Sequence, residues 1–174
     1  MFRSLLLFVL VVLFASCGNG DQPSTTNTPP AATQQPATEA VATPLPYPPL
    51  PESIKQDIFN RCDFVDYIFY DPGLPMSISL NEQNSIRATL NHFGTGQAQK
   101  KGECKATGRV MYQSQGEYIL EADFYLVSGC VYFVFMQNQK PTYALPMSEK
   151  GVGFFTNNIQ SAKNSVLKGH PGAQ

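Results

Sequence analysis

The sequence predicts an α+β domain in which an antiparallel β-meander of three to five strands packs against two or three helices. The main observation is a set of strand-like runs between residues 105 and 137, which two-residue turns separate. Segments with apolar residues at helical spacing lie before and after these runs. The 12 phenylalanines and 8 tyrosines supply the bulk for a core, and tryptophan is absent. Helices grouped outside consecutive strands are typical of this fold class.

The chain begins with a segment of the kind that directs export. An unbroken apolar run extends from Leu5 to Phe14, and the small residues Ala15 and Ser16 follow it. A run of about 10 apolar residues suits the core of a signal peptide, since a membrane-spanning helix needs roughly 20. Residues 1–16 are therefore predicted to be a signal peptide.

The residues around the expected cleavage point, Ala15-Ser16-Cys17-Gly18, resemble the lipobox of bacterial lipoproteins, with Phe14 where leucine is commonest. This resemblance covers only the first 18 residues. It implies that the thiol of Cys17 receives a diacylglycerol, that the signal peptide is removed, and that the new amino terminus is acylated, commonly with palmitate. Two or three acyl chains hold a protein on a bilayer, whereas one chain binds only marginally. The alternative is an ordinary secretory signal that is cleaved before a cysteine.

The residues after Cys17 indicate which membrane is involved. Gly18 and Asn19 stand where many lipoproteins of Gram-negative bacteria carry the aspartate that retains them at the inner membrane. The resemblance therefore favours the outer membrane over the inner membrane, with the domain in the periplasm or at the cell surface. A lipoprotein on the surface of a Gram-positive cell is the alternative.

Residues 17–51 are predicted to be a lipidated terminus followed by a disordered linker. The stretch holds nine of the 14 prolines and six threonines, with only two charged residues. Such a composition cannot bury enough apolar surface to offset the entropy of ordering. Its last part, from Pro44 to Pro51, is predicted to be extended polyproline II, either as a spacer or as a ligand for an aromatic groove of a partner.

Residues 52–168 are predicted to form a single α+β domain, and residues 169–174 a disordered tail. A segment of about 120 residues suits one hydrophobic core. The domain carries 11 Lys and Arg against 11 Asp and Glu, so its charge is balanced. Binding of nucleic acid requires a basic face, which this composition does not supply.

The first predicted elements of the domain are a short helix and a strand. Ser53 can cap a helix that ends near Arg61. Residues 63–70 are predicted to be a strand because aromatic and β-branched residues dominate them. The residues Asp71-Pro72-Gly73 then favour a turn.

A second helix is predicted ahead of the meander. Ser79 and Glu82 have the spacing of a capping box, and apolar residues follow at helical spacing. Gly94 or Gly96 can end this helix in a left-handed conformation.

The meander follows, with hairpin turns predicted at Gln115-Gly116 and Ser128-Gly129. The middle strand has one apolar face, and Glu121 and Asp123 lie on the other, with Arg109 and Lys105 as expected cross-strand partners. The third strand is apolar on both faces and is expected to be covered on both. The predicted strands are residues 105–114, 118–127 and 131–137, and a short fourth at 142–145.

A last helix is predicted after Ser148, which can cap it. Five apolar residues between Val152 and Val166 form one stripe along it. Gly151 and Gly153 weaken the first turn, so the helix could begin later than Ser148.

Three cysteines remain once Cys17 carries lipid. A disulfide between Cys104 and Cys130 is one prediction, because both would lie at the same end of the meander in an oxidising compartment. Two strand spacings would separate them by nearly 10 Å, so twist or fraying would have to bring their Cα atoms within about 7 Å. Cys62 pairing with either of them, and three free thiols, are the alternatives.

The sequence predicts no catalytic residue, metal ligand or cofactor site. Too few histidines and no Cys-x₂-Cys spacing argue against zinc, and Asp63, Asp66 and Asp71 lack the alternating spacing of a calcium loop. His92 is expected near a helix end, where a positive imidazole suits the helix dipole. His170 is expected in the tail.

The predicted function is that of a membrane-anchored envelope lipoprotein whose domain is a non-catalytic binding or assembly module. Its partners would be the membrane, through lipid on Cys17, and an envelope protein. The alternatives are a small-ligand-binding lipoprotein and a small hydrolase using Cys130 or Cys62 with His92. The loop 72–76 and the aromatic third strand are the surfaces at which docking is expected.

Overall fold

The computed structural model describes residues 41–74 and 76–168. The predicted signal peptide, Cys17, most of the predicted linker and the predicted tail lie outside the described residues. The elements within the described part are β1 (Thr43–Pro44), α1 (Glu52–Arg61), β2 (Phe64–Phe69), β3 (Ser77–Leu80), α2 (Gln83–Ala88), a 3₁₀ helix (Thr89–His92), β4 (Gln99–Lys100), β5 (Gly108–Ser114), β6 (Glu117–Val127), β7 (Cys130–Gln137), β8 (Lys140–Pro146) and α3 (Glu149–Lys168).

Six of these strands form an antiparallel sheet in the order β3-β2-β5-β6-β7-β8, and β1 pairs with β4 separately. From β5 to β8 the chain runs as a meander in which each strand pairs with the next. The predicted α+β class, an antiparallel meander with helices, is confirmed. The sheet has more strands than expected because β3 lies where a helix cap was predicted.

One face of the sheet, here called the inner face, packs against α3. Phe155 of α3 is fully buried, and its ring stacks on Phe124 of β6 with centroids 4.4 Å apart. Tyr67 of β2 contacts the same ring edge-on at 5.4 Å. Because side chains alternate along a strand, residues 120, 122 and 124 of β6 reach this core while residues 121, 123 and 125 face the other way.

Residues 43–50, here called the strap, place Leu45 over β7 and β8 on the opposite, or outer, face and Leu50 in the core of the inner face. Leu45 of the strap is 6% exposed and packs with Tyr132, Val134 and Ala144. The backbone N–H of Leu45 donates to Ala98 O at 2.9 Å, and that of Ala144 donates to Pro48 O at 2.9 Å.

The strap corrects the prediction that the disordered linker runs to Pro51. The proline-rich composition of residues 43–50 does exclude a helix, but Leu45 and Leu50 are both buried in the domain. An extended proline-rich chain has no hydrogen bonds of its own, so its carbonyl groups remain free to bind a neighbouring strand edge. Composition averaged over the whole stretch concealed these two anchoring leucines.

Two of the three hairpin turns of the meander have left-handed backbone at both turn residues, whereas in the turn at Ser128-Gly129 only Gly129 has positive φ. Gln115 and Gly116 have φ of 54° and 82°, and Asn138 and Gln139 have φ of 50° and 62°. Both pairs match the turn in which two successive residues take positive φ. These turns separate the strands of the meander, and the predicted strand boundaries fall within a few residues of the observed ones.

Two of the three predicted helix caps are wrong. No side-chain cap bond precedes α1 or α2 among the described residues, and Ser79 belongs to β3, where its hydroxyl donates to Asp66 Oδ1 at 2.6 Å. Ser148 does cap α3, since its hydroxyl accepts a bond from the Gly151 N–H at 3.1 Å. This helix begins at Glu149 despite its glycines. Gly151 packs closely against the 3₁₀ helix, since a Cβ at this position would lie 2.9 Å from His92 O. The glycine permits that close approach.

Candidate functional site

A disulfide joins Cys104 and Cys130, with Cα atoms 6.0 Å apart. Cys104 lies in the connection between β4 and β5 rather than in a strand, which corrects the expected geometry. The Lys101 N–H donates to Gly129 O at 2.8 Å, so this connection runs beside the turn between β6 and β7. The two cysteines are therefore not separated by two strand spacings, which is the distance that a position of Cys104 in the first meander strand would have implied.

Cys62, the predicted alternative partner, is a free cysteine and is 1% exposed. Its thiol donates to Phe64 O at 3.3 Å. Burial raises the pKa of this thiol, although the hydrogen bonds with the Phe64 and Gln113 backbone oppose that effect. A nucleophilic cysteine needs the thiolate form and access to substrate, and Cys62 is placed for neither.

His92 is buried at the end of the 3₁₀ helix, where its ring stacks on Phe154 with centroids 4.6 Å apart. Its Nδ1 lies 3.5 Å from the hydroxyl of Tyr67. Desolvation lowers the pKa of His92 from its usual 6.5 to about 4. The expectation of a positive imidazole at this helix end is therefore wrong, because burial outweighs the helix dipole.

His92 belongs to a cluster of neutral polar groups within the core. Tyr67, Tyr112 and Thr89 are each 0–1% exposed, and the three side chains hydrogen-bond one another. The hydroxyl of Thr89 also donates to Ile86 O at 2.6 Å. Burial raises the pKa of both phenols. Through these hydrogen bonds the cluster connects α2, the 3₁₀ helix and the sheet.

The two surfaces at which docking was expected are partly buried. In the loop 72–76, Leu74 is 4% exposed, whereas Pro72 and Gly73 are exposed. In β7, Phe133 and Phe135 fill the inner face, while Tyr132 and Val134 lie beneath the strap. Most of the third strand of the meander is thus covered on both faces, although Tyr132, Val134 and Met136 line a depression on the outer face.

A charge cluster lies on the part of the outer face that the strap leaves open. Arg109 Nε donates to Asp123 Oδ1 at 2.8 Å, and Arg109 Nη1 lies 3.9 Å from Glu121 Oε2. The hydroxyl of Tyr70 also donates to Asp123 Oδ1, at 3.4 Å. Arg109 is thus the predicted cross-strand partner, whereas Lys105 lies ahead of β5 and off the sheet.

Beside this cluster is a depression of about 300 Å³, here called the tyrosine depression. Three elements place tyrosines around it: Tyr47 comes from the strap, Tyr125 from β6 and Tyr132 from β7. The rings of Tyr125 and Tyr132 lie 4.5 Å apart with planes inclined by 31°. Leu45, Lys100, Cys104, Asp123, Val134, Met136 and Pro141 complete the lining.

The hydroxyl group of Tyr132 is available to a ligand. Tyr132 is 3% exposed, yet no described residue forms a hydrogen bond with its hydroxyl. None of the described side chains has an enclosed polar atom without a partner, so this oxygen must reach solvent through the depression. Burial, followed by the proximity of Tyr125 and Tyr47, raises the pKa of Tyr132 to about 12.

Tyr125 is similarly held neutral, since burial and then the charge of Asp123 raise its pKa. The site therefore presents aromatic faces and uncharged hydroxyl groups, each able to donate and to accept. Part of it could have been predicted: a two-residue turn at Ser128-Gly129 sets Tyr125 opposite Tyr132. Nothing in the sequence placed Tyr47 beside them, because that contact depends on the path of the strap.

Residues 41–74 and 76–168 contain no group of three or more His, Cys, Asp or Glu side chains arranged to hold a metal ion. Within the same residues, no helix is both long and apolar enough to cross a bilayer.

Comparisons with known proteins assign no family to this chain. No protein-family model matches the sequence, and neither a curated protein nor a solved structure matches it significantly.

Proposed function

We propose that the chain is a lipid-anchored envelope protein whose α+β domain acts as a non-catalytic binding module. The single observation that carries the anchor is Cys17, preceded by small residues and an apolar run of signal-peptide length. Lipid on Cys17 would attach the chain to a membrane, and Gly18 and Asn19 favour the outer membrane by resemblance to other lipoproteins.

The disulfide supports export. Disulfides persist in the periplasm and on cell surfaces, whereas cytosolic thiols are kept reduced. Cys104 and Cys130 are joined across a sequence separation of 26 residues, and they hold the connection before β5 against β7. An envelope location would preserve this bond.

The positions of the reactive side chains favour binding over Cys/His hydrolysis. The sulfur of Cys130 is used in the disulfide, and Cys62 is a buried thiol whose pKa is raised. His92 stacks on Phe154 within the core. The tyrosine depression instead offers aromatic rings and hydroxyl groups, which are typical of binding surfaces.

The anchor is tested by expressing the full chain and its Cys17→Ala variant in a bacterial host, with Cys62→Ala as the matched control. We expect mass spectrometry of the mature wild-type amino terminus to show acyl and diacylglycerol groups on Cys17. The wild type and the Cys62→Ala variant should remain attached to a membrane, because several acyl chains give lasting attachment. By the resemblance to other lipoproteins, that membrane should be the outer membrane. Cys17→Ala should remain unprocessed or leave the lipidated fraction.

Two outcomes would contradict parts of this proposal. If Cys17→Ala matures to the same amino terminus and fractionates as the wild type does, the lipid anchor is excluded. Recovery of the acylated wild type in the inner membrane would contradict only the assignment to the outer membrane.

A further inference from the structure

We propose that the tyrosine depression binds a neutral saccharide, an inference that rests on the proposed role of the domain as a binding module. The observations that support it are the aromatic lining, the Tyr132 hydroxyl without a hydrogen-bond partner among the described residues, the presence of both Lys100 and Asp123, and the small volume of the site.

The aromatic lining fits a ligand with a flat apolar face. Tyr125 and Tyr132 lie ring against ring at 4.5 Å, and Tyr47 and Met136 stand beside them. A pyranose ring carries several C–H groups on one face and can lie against such side chains. Tyrosine supplies this contact area at a low cost in conformational entropy, since it has only two side-chain torsions.

The hydroxyl groups of the site fit the polar edge of the same ligand. Both phenols are protonated at neutral pH, as an ordinary phenol already is, and burial raises the pKa of Tyr125 and of Tyr132 further. A phenol both donates and accepts a hydrogen bond, as each hydroxyl of a sugar does. These hydroxyls give specificity, because a ligand that covers them without offering matching hydroxyls removes their water and leaves them without partners.

The charges argue against an ionic ligand. Lys100 lies at the depression and would repel a cation, although aromatic rings alone would attract one. Asp123 would repel an anion, and its carboxylate already binds Arg109 at 2.8 Å. With both signs present at the rim, a neutral ligand encounters the lowest electrostatic cost.

The shape argues against an extended peptide. The depression measures about 300 Å³, at the lower end of the usual range for small-molecule sites. One of its walls is the strap, since Leu45 and Tyr47 both line it. The strap is itself a proline-rich segment lying on the outer face, so this wall blocks the path that a second extended chain would follow.

The test is titration of the full chain, taken from whichever cell fraction contains it, with a panel of neutral saccharides. The panel consists of mono-, di- and trisaccharides of hexoses and of N-acetylhexosamines. Because the chain has no tryptophan, tyrosine fluorescence and the NMR signals of the tyrosine rings report on the site. The result is independent of the anchor, whose test measures acylation and fractionation.

Two variants and a matched control make the test specific. Tyr125→Ala should weaken binding about tenfold or more, as removal of a central aromatic contact does. Tyr132→Phe keeps the packed ring and should weaken binding about threefold through loss of one hydroxyl. Tyr118→Ala is the control, since Tyr118 is 60% exposed and lines a different depression. It should leave binding unchanged.

Several outcomes would overturn the inference. They are no saccharide binding up to about 10 mM, equal binding by wild type and Tyr125→Ala, and loss of binding in Tyr118→Ala alone. Binding of tetramethylammonium, inorganic phosphate or a proline-rich peptide at this site in place of sugars would also overturn it.

Discussion

Tyr132 shows how burial and hydrogen bonding can be separated at a single residue. Its ring is almost fully enclosed between the strap and Tyr125, yet its hydroxyl has no partner among the described residues. The core tyrosines Tyr67 and Tyr112 differ, because their hydroxyls bond to each other and to Thr89. The two environments distinguish a tyrosine that stabilises the fold from one that can meet a ligand.

His92 leads to a prediction about stability and pH. Its pKa falls from 6.5 to about 4 on folding, because burial disfavours the charged imidazole. Between these values the unfolded chain binds more protons than the folded one, so the free energy of unfolding rises with pH. We expect His92 to contribute about 3 kcal/mol at pH 7 that is lost as the pH falls from 6.5 towards 4.

Urea unfolding at several pH values measures this effect in the wild type and in His92→Gln. The variant should be less stable at pH 7 and should lose less stability between pH 6.5 and 4. Carboxylates titrate in both proteins, so they cancel in the comparison. An unchanged pH dependence in His92→Gln would show that another group is responsible.

At the scale of elements, the meander was predictable because its signals are local. Strand alternation and the turn residues between strands lie within a few positions of one another, and they placed β5 to β8 correctly. The second predicted cap failed for a tertiary reason. Ser79 lies on β3, beside Asp66 of β2, so pairing with a strand overrode the capping pattern.

The turn between β7 and β8 leads to a second prediction. Gln139 has a φ of 62°, which costs a residue with a side chain about 1 kcal/mol or more. Gln139→Gly creates an Asn-Gly pair, which suits this turn, so we expect the free energy of unfolding to rise by up to about 1 kcal/mol. Chemical denaturation measures the change.

Gln137→Gly provides the matched control for this turn. Gln137 is exposed at the end of β7 and does not have positive φ, so glycine there adds only entropy to the unfolded chain. It should lower stability. A loss of stability in Gln139→Gly would contradict the strained turn.

At the scale of the molecule, the outer face is assembled from segments far apart in sequence. The strap crosses β7 and β8, and the connection before β5 is fixed beside them by the Cys104–Cys130 disulfide. They lie over β7 and β8, whereas Arg109 and Asp123 pair on β5 and β6. The tyrosine depression lies between these two parts, since Leu45, Tyr47 and Asp123 all line it.

This arrangement predicts that the strap contributes to global stability. Leu45→Ala should lower the free energy of unfolding by about 2–3 kcal/mol, because it removes a buried leucine that is 6% exposed. Pro46→Ala is the control, since Pro46 is exposed. It should cost less than about 1 kcal/mol. Equal effects of the two substitutions in urea denaturation would show that the strap does not pack on the domain.

The sequence by itself determined the α+β class, the strands and turns of the meander, and the pattern that predicts a lipid on Cys17. These depend on residues close together in the chain, whose spacing alone carries the signal. Only the tertiary structure decided the neutral state of His92, the position of Cys104 beside β7 and the path of the strap. Each depends on which distant segment lies nearby, and therefore on burial and contacts that no local pattern specifies.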